Sequence, residues 1–240
     1  MSLIVSYKQH LQSGSFYPNE KIYLSFLVRN SVLLLSLSLI LLGCTDQTNR
    51  LPYYNTPDFT PLFLTAEREG QDQITHQIAP FSFTNQAGKT VTEQAIESKI
   101  HVANFIFTTC GVVCPVMTNH MQQVSQTFEQ DDDVVLLSYS VTPWIDDVVR
   151  LQEYAQQKNI TDPNWHLLTG KKGEIYQLAR QSYFAEEDLG YTKDSTEFLH
   201  TEHFILVDQN RRIRGIYNGT LALDIQQLIT DIHSLKAEKL

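Results

Sequence analysis

Cysteine is nearly absent from this chain, with three residues in 240, at positions 44, 110 and 114. So few exclude the disulfide framework on which small exported domains rely. Basic residues are also scarce, 18 Lys and Arg against 27 Asp and Glu; beyond residue 43 the balance is 15 against 26, or −11. A surface of that sign repels phosphate backbones, and no basic stripe with interleaved aromatics offsets it, so no nucleic-acid partner is expected. A long apolar run is missing too. The apolar segment at residues 31–43 is about 13 residues, short of the roughly 20 that span a bilayer as a helix. No internal repeat is present.

A charged fraction of 19% and a hydrophobic fraction of 42% suit a folded core, and the length suits one domain. The 31–43 run, preceded by Arg29, fits the hydrophobic region of a signal peptide. Leu41-Leu42-Gly43-Cys44 resembles the lipobox of bacterial lipoproteins, where cleavage leaves a diacylglyceryl cysteine, here Cys44. The alternative is an uncleaved anchor helix. Either places the domain outside the cytoplasm, in the cell envelope, lipid-anchored at the extracytoplasmic face of a bacterial membrane if Cys44 is modified. The stretch before Arg29 is long for a signal and has no methionine after Met1, so a start near Leu27 or Val28 is expected. Three parts follow: residues 1–43 as signal, 44–75 as lipidated N-terminus and a partly ordered, proline-punctuated linker, and 76–240 as the folded domain.

Within that domain, Phe81-Ser82-Phe83-Thr84 alternates apolar and polar, Asn85-Gln86-Ala87-Gly88 turns the chain, and Thr90-Val91-Thr92 returns it, which predicts a β-hairpin. The pattern then alternates: strand at 101–107, helix at 115–128, strand at 134–141, helix at 146–158. That order implies a parallel sheet with right-handed crossovers. A helix near 173–183, an acidic loop at 185–197, strands at 204–208 and 213–217 and a last helix at 223–235 complete the reading. A βαβ unit followed by a hairpin and a helix is the thioredoxin-like α/β fold: a central mixed sheet flanked by helices, here with an N-terminal β-hairpin extension.

Cys110 and Cys114 sit where the first strand of the βαβ unit hands over to its helix. A helix N-terminus offers partial positive charge and unpaired N–H groups, which favour the thiolate that attacks disulfides and binds metals. With Cys44 used by lipidation, the two have only each other, as disulfide, dithiol or metal site. If residues 110–114 formed one helical turn, their Cβ atoms would be roughly 5–6 Å apart on one face. Met117 and Met121 are expected in the core, and Asp131-Asp132-Asp133 in a solvated turn.

The chain resembles the Sco/SenC family over about residues 76–236. The resemblance is carried by the 81–89 segment, by Phe107-Thr108-Thr109-Cys110-Gly111-Val112-Val113-Cys114-Pro115-Val116-Met117, by Asp162-Pro163-Asn164-Trp165 with Leu168-Thr169-Gly170, and by residues 200–208. It implies a tethered thioredoxin-like copper chaperone for cytochrome c oxidase. The family's copper-binding cysteines fall on Cys110 and Cys114, and its histidine on His200, with His203 read as structural. Two positions depart from the family: Gly111 replaces a common proline, which should loosen the loop, and Thr142 stands where many relatives carry an acidic residue linked to copper handling.

Cu(I), a soft ion, prefers thiolates and accepts imidazole, so Cys110, Cys114 and His200 would make a three-coordinate site. The implied function is delivery of copper to the dinuclear copper centre of an oxidase subunit, with an extracytoplasmic thiol reductant keeping the pair loadable. Two alternatives use the same residues: a thiol–disulfide oxidoreductase, and a redox or copper sensor. The acidic loop leading to His200 is either a movable flap or a plain solvated surface.

Overall fold

The computed structural model describes residues 50–64, 73–185 and 201–238. Cys44, the 31–43 run, His200 and all but the first residue of the acidic loop lie outside them.

The hairpin forms as read: β3 (Ser82–Asn85) pairs antiparallel with β4 (Thr90–Thr92). Its turn is made by Asn85, whose side-chain oxygen accepts from the N–H groups of Ala87 and Lys89, while Gly88 takes the positive φ (+72°) that glycine adopts without steric cost. A 3-10 turn, Glu93–Ile96, leads into β5 (Ile100–Ile106). Next come α1 (Val113–Thr127), β6 (Val134–Ser140), α2 (Val148–Gln157), β7 (Trp165–Thr169), α3 (Lys172–Gln181), β8 (His203–Val207), β9 (Ile213–Asn218) and α4 (Ala222–Ala237). Among the described residues no helix is long and apolar enough to cross a membrane.

With two short strands before the hairpin, β1 (Tyr53–Tyr54) and β2 (Pro61–Leu62), the sheet runs β2-β1-β9-β8-β5-β6-β7-β3-β4. β5, β6 and β7 are parallel and the other pairings antiparallel, the mixed sheet expected. Residues 101, 103 and 105 of β5 face α3 and the hairpin, whereas 100, 102, 104 and 106 face α1, α2 and α4. With both faces covered, β5 is buried throughout, which is why its sequence reads as an almost unbroken apolar run. Met117 and Met121 fill the α1 side of this core at 1% and 0% exposure.

Three features differ from what the sequence pattern predicts. Strand β7 is absent from the sequence pattern. It is short and follows a turn, and part of its ladder is a side chain: Gln86 Nε2 donates to Trp165 O (2.8 Å), and Leu167 N donates to Gln86 Oε1 (2.8 Å). The proline-punctuated stretch expected as linker also contains strands β1 (Tyr53–Tyr54) and β2 (Pro61–Leu62), which extend the sheet beside β9. Buried Arg214 holds it there, donating to Leu51 O (2.7 Å) and Pro52 O (3.1 Å) and lying 4.0 Å from the Tyr53 ring centroid. Asp131 is not purely solvated either, since it pairs with Lys236.

Candidate functional site

Strand β5 ends at Ile106 and α1 begins at Val113, so Cys110 lies in the connecting loop and Cys114 in the first turn of the helix. Residues 110–114 therefore do not form the single helical turn considered from the sequence. Gly111 and β-branched Val112 are poor helix formers, and the geometry gives Cys110 a different task. Val112, at the helix cap position, has no side chain that can accept a hydrogen bond. Cys110 Sγ accepts instead, from Cys114 N at 3.3 Å. The sulfur occupies the place of a capping oxygen, against N–H groups the helix leaves unpaired.

Both thiols are free, Cys110 half-buried and Cys114 buried at 4% exposure. Their environments push them apart. Desolvation alone would raise the Cys110 pKa, but hydrogen bonds from the backbone N–H groups of Cys114, Val112 and Val113 outweigh it and hold the thiol below its ordinary value. Burial pushes the Cys114 thiol up to about 12, against a hydrogen bond from the Phe107 backbone and reinforced by Cys110 and Asp146. Tyr154, packed beneath them with its hydroxyl 2.7 Å from Thr118 Oγ1, is likewise raised to about 12 by burial.

The loop carrying Cys110 is tied to the β6–α2 loop. Asp146 is fully buried and accepts from Thr108 N (3.2 Å), Thr108 Oγ1 (2.6 Å), Ser140 Oγ (2.6 Å) and Thr142 Oγ1 (3.0 Å). Arg150 Nε donates to Thr108 Oγ1 at 3.0 Å. Thr142 carries no charge, yet its hydroxyl rests on one that sits four residues on. Asp146 is the residue the sequence reading missed as part of the site. In the sequence Asp146 reads as the start of a helix, whereas Asp147 caps α2 through Arg150 N (2.8 Å) and Asp146 turns inward. The signal was available as alternating hydroxyls, Ser138, Ser140 and Thr142, ending at a pair of acids.

His200 precedes the first residue described in its segment, Thr201. The β5–β8 register pairs Ala103 with Ile205 and Val102 with Leu206, antiparallel, so the chain enters β8 from the end of the sheet at which β5 leaves for the thiol loop. Next to Thr201, Gly219 N donates to Glu202 O (2.7 Å), and His120 of α1 donates through Nδ1 to Gly219 O (2.8 Å). His203 opens β8, half-buried, its ring edge-on to Phe59 at 5.9 Å. Among the described residues no three His, Cys, Asp or Glu side chains cluster to hold a metal. Gly111 is exposed, with open space where a Cβ would stand, so nothing in the structure requires glycine there.

This geometry of paired thiols on a strand–helix junction coincides with the SCO1/SenC family profile, which matches residues 69–237. The chain belongs to the SCO1/SenC family. A SCO1 protein homolog of Bacillus subtilis (strain 168) is 31% identical over 182 residues, covering 74% of this chain and 93% of that one. The structure of BsSco, a member of the Sco family of cytochrome c oxidase assembly proteins in which a disulfide switch was identified, superposes with a TM-score of 0.58. It is 30% identical, with 69% of this chain and 96% of that one covered. Bradyrhizobium japonicum ScoI with copper bound shares the fold at 24% identity and a TM-score of 0.53, covering 67% and 99% of the two chains. The α/β fold of this SCO1/SenC member is thus thioredoxin-like.

Proposed function

We propose that this SCO1/SenC protein binds copper, chiefly Cu(I), and delivers it to the dinuclear copper centre of a cytochrome c oxidase subunit during assembly. One observation carries the reading: two free thiols in different environments meet at a helix N-terminus, one of them reachable from solvent. Cu(I) binding replaces two thiol protons, and the soft donor set fits the ion. His200 is the proposed third ligand; the entry of β8 at the thiol end and the family match support it. A site of three ligands leaves room for an incoming thiolate or imidazole to attach before the donor lets go. The ion then passes between proteins without being freed.

Anchoring through lipidated Cys44 at the extracytoplasmic face of a bacterial membrane is part of the same proposal, supported by the signal-like run and the lipobox. Outside the cytoplasm the pair oxidises, so an external thiol partner is required: the Cys110–Cys114 disulfide and two R–SH yield the dithiol and R–S–S–R. The unequal thiols also favour a second reading, thiol–disulfide exchange on an exported protein, with Cys110 as the attacking group. Competition titration of the reduced protein with Cu(I) separates the two. One tight equivalent, lost in His200→Ala and in Cys110→Ser/Cys114→Ser, is expected. Wild-type copper affinity in His200→Ala sinks the three-ligand site and leaves the exchange reading in front.

A further inference from the structure

The Asp146 carboxylate is buried without a cation: among the described residues no salt bridge reaches it. Burying a charge against neutral donors alone is costly, and two loops could be joined by neutral groups for less. The cost is concentrated on the segment that leads into Cys110. Two of the four hydrogen bonds come from Thr108, two residues before that cysteine, and Arg150 of α2 reaches the same hydroxyl.

Beyond Thr108 the thiol loop is held by Cys110 itself, whose sulfur caps α1 and packs against the core on that side, and among the described residues no other side chain of the neighbouring strand bonds it. Thr109, Gly111 and Val112 are exposed, among the described residues none but the adjacent ones comes within 4 Å of where a Gly111 Cβ would stand, and the backbone bond at Cys110 is local, to Phe107 O at 3.2 Å. The anchor at Thr108 is therefore where the rigid sheet fixes the position of Cys110. Ser140 and Thr142, the other donors, belong to the end of β6 and the loop after it, so the carboxylate refers the thiol loop to the neighbouring strand.

We propose that Asp146 is the positioning residue of the thiol centre. Through Thr108 it holds the loop so that the Cys110 and Cys114 sulfurs act as a pair, either closing on each other or sharing Cu(I). The disulfide half stands on geometry alone; the copper half rests on the function proposed above.

The test is the equilibrium of the full protein with glutathione, in which the dithiol and one oxidised glutathione give the protein disulfide and two glutathione thiols. Its constant is the effective concentration of one cysteine at the other, a measure of positioning rather than of stability. Asp146→Asn is expected to lower it about tenfold, the worth of one charge-assisted hydrogen bond, and Thr108→Val several-fold. The double variant should fall no further than Asp146→Asn, because both changes break one linkage. Cu(I) affinity should drop in parallel. Thr108→Val keeps the carboxylate and its other donors, so it carries the test if Asp146→Asn folds poorly. Constants within twofold of wild type in both singles, with only the melting temperature lowered, overturn the proposal, as do shifts that simply add. A shifted glutathione equilibrium in a protein that binds no Cu(I) supports the positioning role and removes the copper reading instead.

Discussion

At the foot of the sheet, where β8 ends and β9 begins, Arg214 is buried and met by Asp208 (3.3 Å), Glu238 (2.9 Å), two backbone carbonyls and the Tyr53 ring. At the opposite end Asp146 is equally buried and meets an N–H and three hydroxyls. The exposed apolar side chains divide the same way: seven of the eight large ones among the described residues, including Val112, Val116, Trp144 and Ile145, lie at the thiol end. One end uses its buried charge to close the fold and to join the 51–52 stretch to Glu238 at the end of α4. The other keeps a reactive pair reachable and holds it by a few directed bonds.

That contrast breaks most visibly at Arg214. Arg214→Ala leaves Asp208 buried without its cation and frees the 51–53 stretch, and a loss of about 3–5 kcal/mol in urea unfolding is expected. The thiol end should keep its reactivity in the folded variant. A loss below about 1 kcal/mol would show that the foot is held by strand pairing and not by the ion cluster.

His101, near the foot in β5, makes a smaller and pH-dependent difference. Its Nε2 lies 3.0 Å from the Tyr183 hydroxyl, and its Nδ1 is buried with no hydrogen-bond partner among the described residues. Burial, helped by the charge of Arg211, lowers its pKa to about 3. Above pH ~6.5 the ring is neutral in both folded and unfolded chains and contributes no pH dependence. As pH falls, the unfolded chain takes the proton first, so stability declines from about pH 6.5 and levels off near pH 3. The decline should reach about 3 kcal/mol by pH 4. His101→Leu should flatten that slope; an unchanged slope would assign acid sensitivity to other groups.

The fold was legible where periodicity is strong. Every helix and the strands β3–β6, β8 and β9 follow from apolar spacing and turn residues, because both faces of the central strands are covered. β7 was not legible, since its partner is partly the Gln86 side chain, which no local pattern announces. β1 and β2 were hidden because their attachment depends on Arg214, more than 150 residues away. At the site, Cys110 and Cys114 announced themselves by type and spacing. Asp146 did not, because an acid before a helix reads as a cap and only the tertiary structure turns it inward.

The smallest predicted effect probes the thiol end itself, where the two sulfurs should differ in rate. At pH 7 the Cys114 thiol, held up to about 12, is almost wholly protonated, while Cys110 lies below the ordinary thiol value and is partly open to solvent. Thiolate fraction sets the rate of alkylation, and the weaker intrinsic nucleophilicity of a low-pKa sulfur offsets only part of that advantage. Iodoacetamide should therefore modify Cys110 about 100-fold faster than Cys114, read by peptide mapping of singly labelled protein. The difference has two physical sources, the burial that raises Cys114 and the three N–H groups at the start of α1 that serve Cys110. Gly111→Ala, which adds a Cβ into open space, should leave the ratio intact. Equal labelling of the two cysteines would mean that the loop does not hold Cys110 against the helix end, and the contrast between the reactive and closed ends of the sheet would lose its basis.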